Sequence, residues 1–177
     1  MKYLAAITAL FAAGALGTAI PAAARDASAG YHLNLTLVTE GENQYWLLTD
    51  DNLPAGLPAA PTTLATRTPN QGGLQARDSP TCSGSHQANT GDCYNLLSAL
   101  SNDLNEIPNS PRNIRYNNCY ASWSKPASGV RAELYSAAVD IYNSCNSNDK
   151  VSGLKRNVNI GGTVLTQCLS DRATGCS

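Results

Sequence analysis

Hydrophobic and polar positions alternate from Tyr31 to Leu37, with Leu33, Leu35 and Leu37 set against His32, Asn34 and Thr36. Period-two spacing of this kind predicts a strand with one buried face. Glu40-Gly41-Glu42-Asn43 supplies a turn and Tyr45-Trp46-Leu47-Leu48 resumes the apolar run, so a β-hairpin is predicted. Further on the period changes. Cys93, Leu96, Leu97, Leu100 and Leu104 recur at helical spacing, and Asp92 sits where a helix N-terminus favours an anion. Ile107-Pro108 and Ser110-Pro111 end that helix. Ile114 to Ser124 alternates as a single strand, Cys119, Ala121 and Trp123 on one face and Tyr120, Ser122 and Ser124 on the other.

A second helix is predicted from Gly129 to Ser144, with Ser128 as its N-cap. Val130, Leu134, Ala137, Ala138, Ile141 and Cys145 form its buried stripe, and Arg131, Glu133 and Asp140 point elsewhere. Arg156 to Ile160 alternates again, Gly161-Gly162 offers a two-residue turn, and Thr163 to Leu169 supplies a partner strand. The order helix, strand, helix, strand, strand predicts an α+β fold, a small disulfide-stapled sandwich with two helices packed on an antiparallel β-sheet. The hairpin near the N-terminus can add strands to the same sheet.

Four zones divide the chain. Residues 1–24 carry Lys2, an apolar run from Tyr3 to Leu16 and the small-residue ending Ala22-Ala23-Ala24, the pattern of a secretory signal peptide. The run is too short for the ~20 residues that a membrane span needs. Residues 25–50 hold the hairpin segment, with a pro-region as its other reading. Residues 51–80 form a linker with five prolines, Pro54, Pro58, Pro61, Pro69 and Pro80, too poor in apolar area to offset its ordering entropy. Arg67 and Arg77 are its only candidate processing points, and neither is dibasic. Residues 81–177 form the cysteine-rich domain.

Export changes how the cysteines are read. Cys82, Cys93, Cys119, Cys145, Cys168 and Cys176 make an even set, which in an oxidising compartment is a disulfide framework before it is a metal site. Six cysteines allow about fifteen pairings, all open at this level. No C-x-x-C pair occurs and the two histidines, His32 and His86, are far apart, so zinc is not expected, nor any cofactor. The sole Met and sole Phe, Met1 and Phe11, both fall within the signal segment, which leaves a core of small aliphatics, Tyr, Trp and cysteine. Three bridges at ~2–4 kcal/mol each would offset that weakness. Asn34-Leu35-Thr36 is an N-glycosylation sequon, placing Asn34 on the exposed face of its strand.

Charge is sparse and balanced, with 12 basic and 13 acidic residues and a net charge of −1, which excludes a nucleic-acid binder living on phosphate attraction. Nucleophilic catalysis would have to use His86 with Ser83 or Ser85, yet no G-x-S-x-G elbow is present and His86 reads as a loop histidine. Carboxylates for glycoside cleavage would come from Asp92, Asp103, Glu106, Glu133, Asp140, Asp149 or Asp171, each with a plainer reading as a helix-end anion or a solvated face. Tyr116, Tyr120, Tyr135 and Tyr142 are candidates for a row of exposed aromatics, with Tyr120 the better surface residue and Trp123 reading as core. Arg112, Arg115, Arg131, Lys155 and Arg156 are the cations available to an acidic receptor.

Cys82-Ser83-Gly84-Ser85, Gly91-Asp92-Cys93, Cys119-Tyr120-Ala121-Ser122-Trp123, the helix from Gly129 to Cys145, and Cys168-Leu169-Ser170-Asp171-Arg172 followed by Gly175-Cys176 together resemble the fungal secreted WD-like family. That family looks related to the killer-toxin-like fold of fungal killer toxins and necrosis-inducing effectors. The resemblance covers Pro80 to Ser177. It implies a small extracellular α/β sandwich without a known active site, and a bridge between Cys82 and Cys145. The expected function is that of a non-enzymatic, monomeric effector or antimicrobial toxin. Its partner is an extracellular target: a cell-surface protein, a membrane or a wall glycan. The alternatives are a wall carbohydrate-binding or structural protein and, behind it, a secreted hydrolase.

Overall fold

The structure is a computed structural model that describes residues 30–54 and 78–176. The signal-peptide segment 1–24, most of the linker and Ser177 lie outside the described residues. The chain runs β1 (Thr36–Glu40), β2 (Asn43–Leu47), a 3-10 turn (Asp50–Asn52), β3 (Thr81–Cys82), β4 (Ala88–Asn89) and α1 (Thr90–Leu100). It continues through β5 (Asn113–Tyr116), β6 (Cys119–Trp123), α2 (Glu133–Cys145), β7 (Asn146–Ser147) and β8 (Lys150–Val151), and closes with β9 (Gly153–Ile160) and β10 (Thr163–Ser170).

Seven strands form one sheet in the order β1-β2-β5-β6-β10-β9-β3, and β4-β8-β7 form a small second sheet. Two helices on a sheet is the architecture, with one departure from the expected all-antiparallel pairing. β2 lies parallel to β5, with Trp46 opposite Ile114. A parallel neighbour requires a long crossover, and the chain returns to β5 only after the linker, β3, β4 and α1.

Both helices lie on the same face of the large sheet. Cys119 is bridged to Cys93 of α1, so the i, i+2 set Cys119, Ala121 and Trp123 faces the helices. Gln167, directly opposite Trp123, donates from Nε2 to the Leu134 carbonyl of α2 at 2.7 Å. Leu96, Leu97, Leu100, Ile114, Trp123, Leu134, Ile141 and Leu169 fill the layer between. The N-terminal hairpin joins that core through Leu33 and Leu48, while Tyr31 packs at its margin and donates its hydroxyl to the Ala99 carbonyl at 2.6 Å.

The boundaries differ from the sequence pattern at four places, each with a tertiary cause. The first strand starts at Thr36 rather than Tyr31, because residues 31–33 bond instead to the chain after α1. The alternation fails there too: Leu37 is exposed. α1 stops at Leu100 and leaves Leu104 exposed, because Asp103 turns inward to meet Arg131. The single strand 114–124 is a hairpin, β5–β6, turning at Asn117-Asn118, where Asn117 adopts φ 49°. Asn tolerates that region better than other non-glycine residues. α2 begins at Glu133 rather than Gly129 because residues 129–132, a bridge at Val130 followed by a turn, bond to the loop after α1: Ile107 donates to the Gly129 carbonyl, and Arg131 and Ala132 donate to those of Asn105 and Asp103. Ser128 caps nothing. Glu133 reaches back instead, accepting from the amides of Val130 and Gly161.

β9–β10 turns at Gly161-Gly162, with φ 54° and 83°, the left-handed pair that a two-residue hairpin favours. A Cβ on Gly161 would also stand 1.3 Å from the Ser128 carbonyl oxygen. No described helix is long and apolar enough to cross a membrane.

Candidate functional site

The face of the large sheet away from the helices carries the remaining chemistry. Ser170 pairs with Tyr120 and Cys168 with Ser122, so these four side chains share that face. The C-terminal tail folds back across it. Asn113 Nδ2 donates to the Gln44 and Ala173 carbonyls at 3.1 and 3.3 Å. The Cys168–Cys176 bridge ties the tail end to β10, and Cys176 Sγ lies 3.5 Å from the Ser122 carbonyl.

On one side of the tail stands a stack of charge and aromatic rings. The Arg115 guanidinium carbon lies 4.8 Å from the Tyr45 ring centre and 5.3 Å from that of Tyr120. The rings meet edge to face at 5.8 Å. Arg115 Nη1 is 3.4 Å from Glu40 Oε2. Burial raises the Tyr120 phenol above its ordinary range, against the lowering effect of Arg115; for Tyr45 the neighbouring Glu40 carboxylate does most of the raising, and burial adds to it. Tyr45 is 2% and Tyr120 8% exposed. The stack is therefore a packed cross-strand cluster, and Tyr120 is not the surface residue the alternation suggested, because the hairpin covers it. Tyr142 and Tyr116 are buried as well, and Tyr116 donates its hydroxyl to Asp50. Tyr135 alone of that expected row is exposed.

On the other side of the tail lies a cavity of about 100 Å³ between β3, β9, β10 and the tail. His86 lines it, with φ 55°. The Asp171 amide donates to the His86 carbonyl at 3.0 Å, and His86 Nδ1 stands 3.4 Å from Asp171 Oδ1. Ser83 and Ser85 line it too, but their hydroxyls bond to each other at 3.0 Å rather than to the imidazole. Ser170 engages the Arg172 carbonyl. The cavity thus holds an oriented imidazole among hydroxyls without a completed nucleophile–base contact.

The other expected carboxylates are dispersed, each with its own partner or solvent. Asp103 is fully buried and meets Arg131 Nη1 at 3.1 Å, while its other oxygen accepts from the amides of Leu33 and Asn105. Asp140 pairs with Lys155, and Asp92 accepts from Asn117 Nδ2 at 3.1 Å. Glu106 and Asp149 are exposed. Of the basic set, Arg115, Arg131 and Lys155 are tied internally and Arg112 donates to the Trp123 carbonyl, so they do not form one receptor-facing patch. Asn34 is exposed. Arg172, Ser152 and Thr174 line the cavity, and nothing in the sequence marked them as site residues; the register of β9 with β10 and the return of the tail place them there. Among the described residues no cluster of three or more His, Cys, Asp or Glu side chains is arranged to hold a metal ion.

The bridges are Cys82–Cys145, Cys93–Cys119 and Cys168–Cys176, and no cysteine is free. Helices on one face, a tail strapped over the other and three bridges define a small cysteine-rich α+β domain. The chain belongs to the fungal WD-like family: the family model described as Fungal WD-like matches residues 32–176. The match begins before the first cysteine, so it takes in the N-terminal hairpin along with the bridged region. No curated protein and no solved structure matches the chain.

Proposed function

We propose that the protein is secreted and works without catalysis, as a fungal effector or killer-type antimicrobial toxin acting at the surface of another cell. The observation that carries this reading is the covalent framework: all six cysteines are bridged within a domain of a fungal family, an arrangement suited to an oxidising exterior. The likeness of the WD-like family to the killer-toxin-like fold is what suggests the toxin role. Purified, fully oxidised protein is expected to arrest growth of competing fungi or to cause necrosis on plant tissue. Inertness on both would overturn the reading.

A secreted hydrolase is the second reading, favoured by the His86–Asp171 pair in a hydroxyl-lined cavity. Its test is hydrolysis of activated esters. Turnover that disappears in His86→Ala would establish it, and no turnover in the parent protein would dismiss it.

A further inference from the structure

The cavity beside the tail is too small for most organic ligands, which take roughly 300–1,000 Å³. At about 100 Å³ it suits one compact group. Its polar lining consists mainly of hydroxyls, of which Ser83 and Ser85 bond to each other and Ser170 donates to the Arg172 carbonyl. Thr81, Ser83, Ser85, Ser152, Ser170 and Thr174 contribute hydroxyls. Arg172 and His86 are the only charged or titratable side chains in the lining.

Arg172 has no carboxylate partner among the described residues. Its guanidinium lies against the tail: Gly175 adopts φ 90°, and a Cβ there would stand 2.7 Å from Arg172 Nη2 and 2.8 Å from the guanidinium carbon. His86 lies on the other side, with Nδ1 3.4 Å from Asp171 Oδ1. Of the two left-handed residues beside the cavity, Gly175 adopts its φ freely, whereas His86 at φ 55° is a non-glycine residue in a sparsely populated region, and such residues concentrate at ligand clamps.

We propose that this cavity binds a tetrahedral oxyanion, a phosphate or sulfate group, with Arg172 as the permanent cation. The hydroxyls of Thr81, Ser152 and Thr174 close the hydrogen-bonding shell, and the His86 ring adds a further polar edge. Guanidinium geometry matches such oxygens. Asp171 stands behind the imidazole and tempers the field, so the site takes one anionic group and does not serve as a polyanion track. The inference stands apart from the toxin reading, because binding is measured on the isolated protein.

The test is an NMR titration of the full disulfide-bonded protein with sodium phosphate and with sodium sulfate at constant ionic strength. Saturable amide shifts are expected at residues 83–86 and 171–175, with a dissociation constant on the order of 1 mM or tighter. Arg172→Gln should weaken binding roughly tenfold or more, as expected for loss of a charge-assisted contact. Lys125→Gln should bind as the parent does, and His86→Gln should weaken binding less than Arg172→Gln. Vesicles carrying phosphatidic acid and a sulfated polysaccharide form the second arm. Arg172-dependent binding to the vesicles assigns the group to a lipid headgroup; binding to the polysaccharide assigns it to a glycan, and binding to neither assigns it to the free ion. Absence of saturable shifts, shifts scattered over all the basic residues, or an unchanged Arg172→Gln variant would overturn the proposal.

Discussion

Asp103 shows how much one side chain can hold. Its buried carboxylate joins the N-terminal segment through the Leu33 amide, the loop after α1 through the Asn105 amide, and the approach to α2 through Arg131. Arg131 completes the knot by donating to the Leu33 and Glu106 carbonyls. Removing one partner leaves an unpaired buried charge, and that is costly where replacing both is not. Arg131→Met is expected to lower unfolding free energy by about 3 kcal/mol in denaturant titration. Adding Asp103→Asn should restore a good part of it, and purely additive losses would show that the pair is not coupled. In sequence Asp103 and Arg131 look like ordinary loop and helix-face charges, because a pair 28 residues apart leaves no periodic trace.

At the scale of elements, the helical period at Cys93–Leu100 and Leu134–Cys145 and the Gly161-Gly162 turn were legible, since each depends on neighbours within a few residues. The ends were not. Residues 129–132 give up helix for bonds to residues 103–107, a choice made by tertiary contacts. The parallel β2–β5 pairing was equally hidden, as was the cavity, assembled from β3, β9, β10 and the tail. Of the candidate site, His86 with Ser83 and Ser85 was visible as a local cluster, whereas Arg172 needed the returning tail. The bridges also differ in access. Cys93 and Cys119 are both fully buried, whereas Cys82 is exposed and Cys176 half-buried. Graded reduction with peptide mapping should open Cys82–Cys145 and Cys168–Cys176 before Cys93–Cys119, because exchange needs an attacking thiolate to reach sulfur. Loss of Cys93–Cys119 first would contradict the packing of α1 on β6.

For the whole molecule, closed loops of 63, 26 and 8 residues correspond to about 4, 3.5 and 2.5 kcal/mol of unfolded-state entropy. That is comparable with the ~5–15 kcal/mol net stability of an ordinary domain, and explains how a core lacking Phe and Met suffices. Burial is the chief cause raising the phenols of Tyr31, Tyr116, Tyr120 and Tyr142, whereas the Glu40 carboxylate leads at Tyr45. A group whose folded pKa is raised contributes stability that is complete below its unfolded value, about 10 for tyrosine, and lost as pH rises through the folded value. Unfolding free energy should therefore fall above about pH 10, with tyrosinate absorbance rising in step with unfolding. Free titration of these phenols in a still-folded protein would contradict their burial.

The central claim, action on another cell without catalysis, is tested most directly by treating fungal and plant cells with oxidised protein while assaying released sugars, fatty acids and peptides. The predicted result is growth arrest or cell damage by the folded protein, its loss after reduction and alkylation, and no product accumulating with time. Damage accompanied by steady, substoichiometric product release would contradict the claim, as would no effect on either cell type.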